Sequence, residues 1–384
     1  MKQMIYADNA ATTKLDTEAF NAMLPWLQEE YGNASQPYSF ARKSRKALED
    51  ARAAIASCIG ADPDEIFFTS GGTESDNWAI KGVAYGHPEA TVITSQIEHH
   101  AVLRACSAVT RMGVPVQYLP VDSAGTIAPD TLHESMTLDT SIVSIMMVNN
   151  EIGTVEPIRD LVAVAHSRGA LFHTDAVQAV GHIPINVKML GVDMLSASAH
   201  KFNGPKGIGF LYIRKGTNIY PYADGGAQEF GMRAGTENVA AIVGMAVALK
   251  KNCDEMAETA AWLRKLEDQF LEVLDNAHID YVRNGSENRV PGNINISIKG
   301  ANGEMLLHRL DLKGISVSTG SACDSVNTQL SHVIKAIGVL PEYAEGTIRV
   351  SFGRDNTEED AVAIAEALVQ ILAKKKIHLR ADTP

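Results

Sequence analysis

Through the first two-thirds of the chain, short runs of consecutive apolar residues alternate with stretches whose apolar positions recur at helical spacing. Residues 66–69, 91–94, 116–119, 142–148, 171–173, 194–196 and 208–213 read as β-strands, the sixth inside a wider apolar run, 192–197. Helical patterns such as 158–166 lie between most of them. Continuously apolar strands separated by helices predict an α/β domain, with a mainly parallel seven-stranded sheet covered on both faces. Open parallel sheets bind ligands beyond the carboxyl ends of their strands. The polar residues that look chemical follow these runs directly: Gly71-Gly72-Thr73, His99, Asn149-Asn150, Asp175 and Lys201.

After about Met245 the texture changes. A long helical stretch, 257–274, leads to a strand-like 293–298, a Gly/Ser-rich segment 316–325, a second strand-like run 347–351 and a helical 358–372. This predicts a smaller α+β domain joined by the N-terminal segment. No internal repeat or low-complexity linker interrupts the chain.

Composition narrows the setting. At 384 residues two or more domains are expected, and 45% hydrophobic with 21% charged residues is ordinary globular usage. Net charge is −12, which disfavours broad contact with nucleic acid or an anionic membrane. The local basic stretches, Arg42 to Lys46 and Lys374 to Lys376, read as solvated helix faces or ends. Cys58, Cys106, Cys253 and Cys323 show no paired spacing, which points away from a disulfide framework or structural zinc. The first residues lack the apolar core of a signal peptide, and no apolar run approaches a membrane span. A soluble, cytoplasmic protein is expected.

Five segments carry candidate chemistry. Lys201, in Ser198-Ala199-His200-Lys201 before a Gly-rich stretch, reads as an amine placed for Schiff-base formation; the plainer reading is a basic loop. Gly71-Gly72-Thr73 joins a strand to a helix start, where glycines and free N–H groups cradle an anion, or simply cap the helix. Asp175 ends a strand, with Gln178 three residues on and sharing its face if a helix begins there; a carboxylate here would keep a pyridine nitrogen protonated, or act as an N-cap. His99 follows another strand, where an imidazole could stack on a ring and pass protons near neutral pH, or serve structure. Cys323 lies among small residues that leave a thiol exposed, whereas Cys58 and Cys106 look like core fillers and Cys253 like an ordinary helix position.

Taken together, several segments resemble pyridoxal phosphate (PLP)-dependent cysteine desulfurases. They are Tyr6-Ala7-Asp8-Asn9-Ala10-Ala11-Thr12-Thr13, Gly72 to Asn77, Glu98-His99, Val148 to Thr154, His173 to Gln178, Ser198 to Lys201, Arg233 to Asn238 and Gly320 to Cys323. The likeness runs in order over nearly the whole chain. It implies a fold-type I, class V aminotransferase-like homodimer, with a large PLP domain over 14–250 and a small domain over 1–13 and 251–384 carrying the cysteine loop. It also implies that Lys201 holds PLP as an internal aldimine, that Asp175 pairs with the ring nitrogen and Gln178 with the ring hydroxyl, and that His99 stacks on the ring. Gly72, Thr73, Ser198 and His200 would hold the phosphate, with Thr236 reaching across from the second subunit. Asn150 and Arg349 would fix the substrate carboxylate, and Cys323 would take the sulfur of L-cysteine as a persulfide for an acceptor protein, leaving L-alanine. No metal is implied.

The chain departs from the commonest pattern in two places. Asp324 follows the nucleophile where a small hydroxyl residue is usual, and Gly32-Asn33-Ala34-Ser35 lacks the usual proline. A neighbouring carboxylate disfavours thiolate. The rival readings are a selenocysteine lyase, which uses the same cofactor site, another class V lyase or aminotransferase, and a catalytically silent partner that kept the fold. The acceptor, whether an iron–sulfur scaffold or a tRNA- or DNA-modification protein, has no signature in the sequence.

Overall fold

The computed structural model describes residues 4–319 and 330–381, with side chains as far as residue 373. Cys323 and the rest of its loop lie outside the described residues. The first strand, β1 (Ile5–Tyr6), lies apart from the main sheet. That sheet is built from β2 (Ile66–Thr69), β3 (Thr91–Ser95), β4 (Val116–Leu119), β5 (Thr140–Ser144), β6 (Leu171–Asp175), β7 (Met194–Ser198) and β8 (Gly209–Ile213). Their order is β2-β8-β7-β6-β5-β3-β4. Neighbours from β4 to β7 pair in parallel, and only β8 runs against its two neighbours.

Adjacent residues of these strands send their side chains to opposite sides. Phe68, Ile93, Val143, Phe172 and Leu195 enter one apolar cluster. Phe67, Val92, Ile142 and Met194 enter another. Burial on both faces explains why the strands are continuously apolar instead of alternating. Each large side chain sealed in this way contributes about 1.5–3 kcal/mol. The helix Arg42–Ile59 covers the first face with Leu48, Ala51, Ile55 and Ile59, a stripe at helical spacing. The helix Gly72–Ala84 covers the second with Trp78 and Val83.

The fifth strand is shorter than its apolar run suggests, and Glu98 explains why. β3 has ended by Ser95, so the N–H of Met146 has no strand beside it and donates to Glu98 Oε1 at 3.0 Å. On the other side the chain still follows β6, with Met147 N–H donating to the Asp175 carbonyl at 2.8 Å. After Asp175 the chain forms a run of turns, not a helix. Gly181 stands at φ +80°, a conformation suited to glycine, and Pro184 follows it.

Four further strands follow: β9 (Tyr281–Arg283), β10 (Asn293–Ile298), β11 (Ile315–Ser316) and β12 (Thr347–Ser351). β12, β10 and β9 form an antiparallel sheet, and β11 pairs in parallel with β1. A separate apolar cluster gathers Ala7 with residues between Leu263 and Ile371. The N-terminal segment is tied in by main-chain bonds, Ala7 N–H to the Ser316 carbonyl at 2.9 Å and Ser351 N–H to the Ala7 carbonyl at 2.8 Å. Residues 8–13 are thereby carried across the mouth of the large sheet. No helix of the described residues is long and apolar enough to cross a membrane.

Candidate active site

Beyond the carboxyl ends of the parallel strands lies a cavity of about 510 Å³. Of the candidate residues, Gly72, Thr73, His99, Asn150, Asp175, Gln178, Ser198, His200, Lys201 and Arg349 all line it. Thr236 does not; it lines a smaller cavity that shares Ser70 and Gly207 with the first. Cys323 falls outside the described residues, and the other three cysteines are elsewhere. Cys106 is buried in the core, as its pattern suggests. Cys58 and Cys253, far from looking independent, lie close enough to influence each other between the helices Arg42–Ile59 and Val239–Asp254.

The amine of Lys201 arrives on a single 3-10 turn, Ala199–Lys201, directly after β7. It donates to the carbonyls of Ala10 and Ala11 at 2.6 and 2.8 Å. Gln178 Nε2 donates to the same Ala10 carbonyl at 2.9 Å. The N-terminal segment therefore places the amine, a contact that no local pattern around Lys201 could reveal. Its signal was the Asp8-Asn9-Ala10-Ala11 motif, read as family likeness without a role.

The floor of the cavity is acidic and buried. Asp175 accepts a hydrogen bond from Val177 N–H at 2.9 Å, and burial pushes its carboxyl up to about 6 against the lowering effect of that bond and of Lys201. Asp76, hidden in the helix Gly72–Ala84 and absent from the sequence candidates, lies beside it and is 1% exposed. Burial, and next the charge of Asp175, hold Asp76 well above the usual carboxylate range. Its Oδ1 has no hydrogen-bond partner among the described residues and sits 3.7 Å from His173 Nε2. His173 is fixed between Ser144 and Ser196 at 2.8 and 2.9 Å, and burial drives it down to about 3, so it stays neutral and does not compensate Asp76. Glu98, also buried, is pushed up to about 8. Buried carboxyls this close together favour whatever brings further positive charge to them.

His99 caps the helix His100–Thr110, its Nδ1 accepting the Ala101 N–H at 3.2 Å. The neutral ring must then carry its proton on Nε2. Burial, then the charge of Lys201, lowers this imidazole to about 4. Near neutral pH the ring is therefore neutral, a donor from Nε2. His200 is likewise lowered to about 4, chiefly by burial, and its Nδ1 meets the Thr12 hydroxyl at 3.2 Å.

An anion cradle stands at one side. The helix Gly72–Ala84 opens into the cavity, and Gly71 before it has φ +142°, which side-chain-bearing residues rarely adopt. Free N–H groups at the first turn and the hydroxyls of Thr73 and Ser198 point the local dipoles toward negative charge. Opposite lies Arg349, 2% exposed by its side chain. It donates from Nη1 to the Asn150 carbonyl at 2.8 Å and from Nη2 to Asp8 Oδ1 at 2.7 Å.

An amine at a strand end, a buried carboxyl beneath it, a capped imidazole and an anion cradle belong together in one class of protein. Residues 5–364 match the aminotransferase class-V family, and the chain belongs to it. Within that class it is similar to proteins that handle cysteine sulfur. It is 50% identical over 377 residues to the cysteine desulfurase IscS of Dictyoglomus turgidum, covering 97% of this chain and 96% of that one. Among solved structures, a NifS-like protein superposes with a TM-score of 0.91 at 38% identity, over 97% of this chain and all (100%) of the other. SspA in complex with cysteine gives 0.82 at 35% identity, over 92% of this chain and 100% of that one.

Proposed function

We propose that the protein is a PLP-dependent cysteine desulfurase, converting L-cysteine to L-alanine and passing the sulfur through a persulfide on Cys323 to an acceptor protein. The observation that carries the reading is the convergence of Lys201, Asp175, His99 and Arg349 on one cavity in a chain half identical to a cysteine desulfurase. The donor set fits the cofactor. Lys201 supplies the amine for its aldehyde, and the carboxyl of Asp175, with Asp76 behind it, offers the ring nitrogen a place to keep a proton. Gln178 would meet the ring hydroxyl and His99 the ring face. Gly72, Thr73, Ser198 and His200 would hold the phosphate, joined by Thr236 of a second copy; the exclusion of Thr236 from its own chain's main cavity supports a homodimer. When bound, PLP supplies an electron sink that makes bonds at the substrate's α- and β-carbons labile.

The chain's own residues do the rest. Arg349 and Asn150 orient the substrate through its carboxylate. His99 holds a proton at Nε2 and, neutral, cannot compete with Lys201 for positive charge. Lys201 moves protons at the substrate once its amine is released. Cys323 takes the substrate sulfur, from a small domain over 1–13 and 251–384 set against a large one over 14–250. Two separate apolar clusters support that division. The relatives carry desulfurase names, which favours sulfur over the selenocysteine lyase alternative. A cytoplasmic setting is part of the same reading.

The test is to feed purified holoenzyme L-cysteine and map the persulfide by mass spectrometry. It is expected on Cys323 and absent in Cys323→Ser, which keeps the absorbance of bound PLP. A persulfide confined to Cys58, Cys106 or Cys253, or a protein that retains no PLP after reconstitution, would overturn the proposal.

A further inference from the structure

The partner of Arg349 is what the cavity leaves unexplained. An arginine that receives substrate carboxylates is expected to meet them with its charge uncompensated, yet here Nη2 already donates to a carboxylate, Asp8 Oδ1, at 2.7 Å. The pair is not a surface accident. The guanidinium is 2% exposed and the Asp8 side chain 18%. Asp8 is held by its backbone, which forms a parallel bridge to Ser351, two residues along β12 from Arg349. Tyr6 braces the same turn, its hydroxyl donating to the carbonyls of Asp8 and Thr12 at 3.0 and 2.8 Å. Opposite Asp8, the Asn150 carbonyl takes Nη1 at 2.8 Å, so the fork is fixed from two sides. Arg349 Nε finds no partner among the described residues. A guanidinium has five N–H donors, and these two contacts leave some of them for an incoming anion.

We propose that Asp8 is the resident counter-anion of the carboxylate site, and that it weakens the binding of amino-acid carboxylates enough to let the product leave. This rests on the reading of Arg349 as the carboxylate-binding residue. Substrate and product carry the same carboxylate, so an uncompensated arginine would hold both tightly and turnover would stall on release. With Asp8 in place, an entering carboxylate meets a second anion across one guanidinium and feels its repulsion. Orientation survives, because the Asn150 carbonyl and Asp8 Oδ1 still hold the fork.

The experiment measures binding of L-cysteine, L-alanine and cysteamine, which lacks the carboxylate, from the change each causes in the absorbance of bound PLP in the full-length holoenzyme. Asp8→Asn keeps an acceptor oxygen and removes the charge; Asp8→Ser is a second neutral variant if the first folds poorly, and Asp8→Glu restores the charge. The neutral variants are expected to bind cysteine and alanine about tenfold more tightly, the scale of one relieved like-charge contact. Cysteamine binding should not change, release of alanine should become slower, and Asp8→Glu should return toward the parent. A purely structural role would shift all three ligands together, and that result would overturn the proposal. So would unchanged or weaker cysteine binding in the neutral variants while Arg349→Lys still erases the preference for cysteine over cysteamine. If Arg349→Lys leaves that preference intact, the carboxylate reading itself fails and the role of Asp8 falls with it.

Discussion

The two sides of the cavity solve opposite electrostatic problems. On the floor, burial lifts the carboxyls of Asp76 and Asp175, with Glu98 buried behind them, and His173, 3.7 Å from Asp76, is too buried to charge. On the wall, Arg349 is buried as deeply but paired twice, to Asp8 and to Asn150. The floor is built to acquire a positive group, whereas the wall holds its own cation in check. Chemistry and affinity are accordingly assigned to different strands of different sheets, β6 and β12.

Substitutions should separate these tasks. The largest effect belongs to the floor: Asp175→Asn, which keeps the shape but cannot hold a negative charge under a ring nitrogen, is expected to lower kcat by about 10²–10³-fold. Steady-state kinetics should show KM for cysteine moving far less. A matching rise in KM would erase the distinction. On the wall, Arg349→Lys loses the planar fork and should raise KM about 10-fold or more, with a smaller loss in kcat. Equal falls in kcat and kcat/KM would instead give Arg349 a role in the chemical step.

The smallest effect is on stability. Glu98 holds its proton up to about 8 in the folded protein, against 4.5 as its ordinary value. Between those values the native state binds more protons than the unfolded one, so folding stability drops as pH rises from about 4.5 to about 8. Glu98→Gln, neutral throughout, should flatten that slope by about 1.4 kcal/mol per pH unit. Denaturant titrations at pH 5, 6.5 and 8 would show it. A slope identical to the parent's would mean that Glu98 is charged in the fold.

Much of this was legible in advance, and for a physical reason. β2, β10 and β12 coincide with their strand-like runs because every residue in them is buried, so local composition reports the strand. β1, β9 and β11 are two or three residues long and exist through pairing with distant segments, which a local pattern does not encode. The same division runs through the site. Lys201, Asp175, His99 and Gly72 stand at strand ends, where position along the sequence implies position in the crevice. Asp8 and the carbonyls of Ala10 and Ala11 act through contacts more than 180 residues away along the chain, and Asp76 resembles any polar residue of a helix's first turns. The spacing of Asp175 and Gln178 leaves open whether a helix follows Asp175; Gly181 and Pro184 favour turns instead.

The seating of the first dozen residues bears on how the chain is made. Their partners, Ser316 and Ser351, are translated after the whole of the large sheet. Such distant pairings are slow to close. A nascent chain must keep its leading segment uncommitted while more than 300 residues are added behind it, and the amine of Lys201 gains its carbonyl partners only when that segment returns. Assembly of the reactive centre therefore waits for β11 and β12.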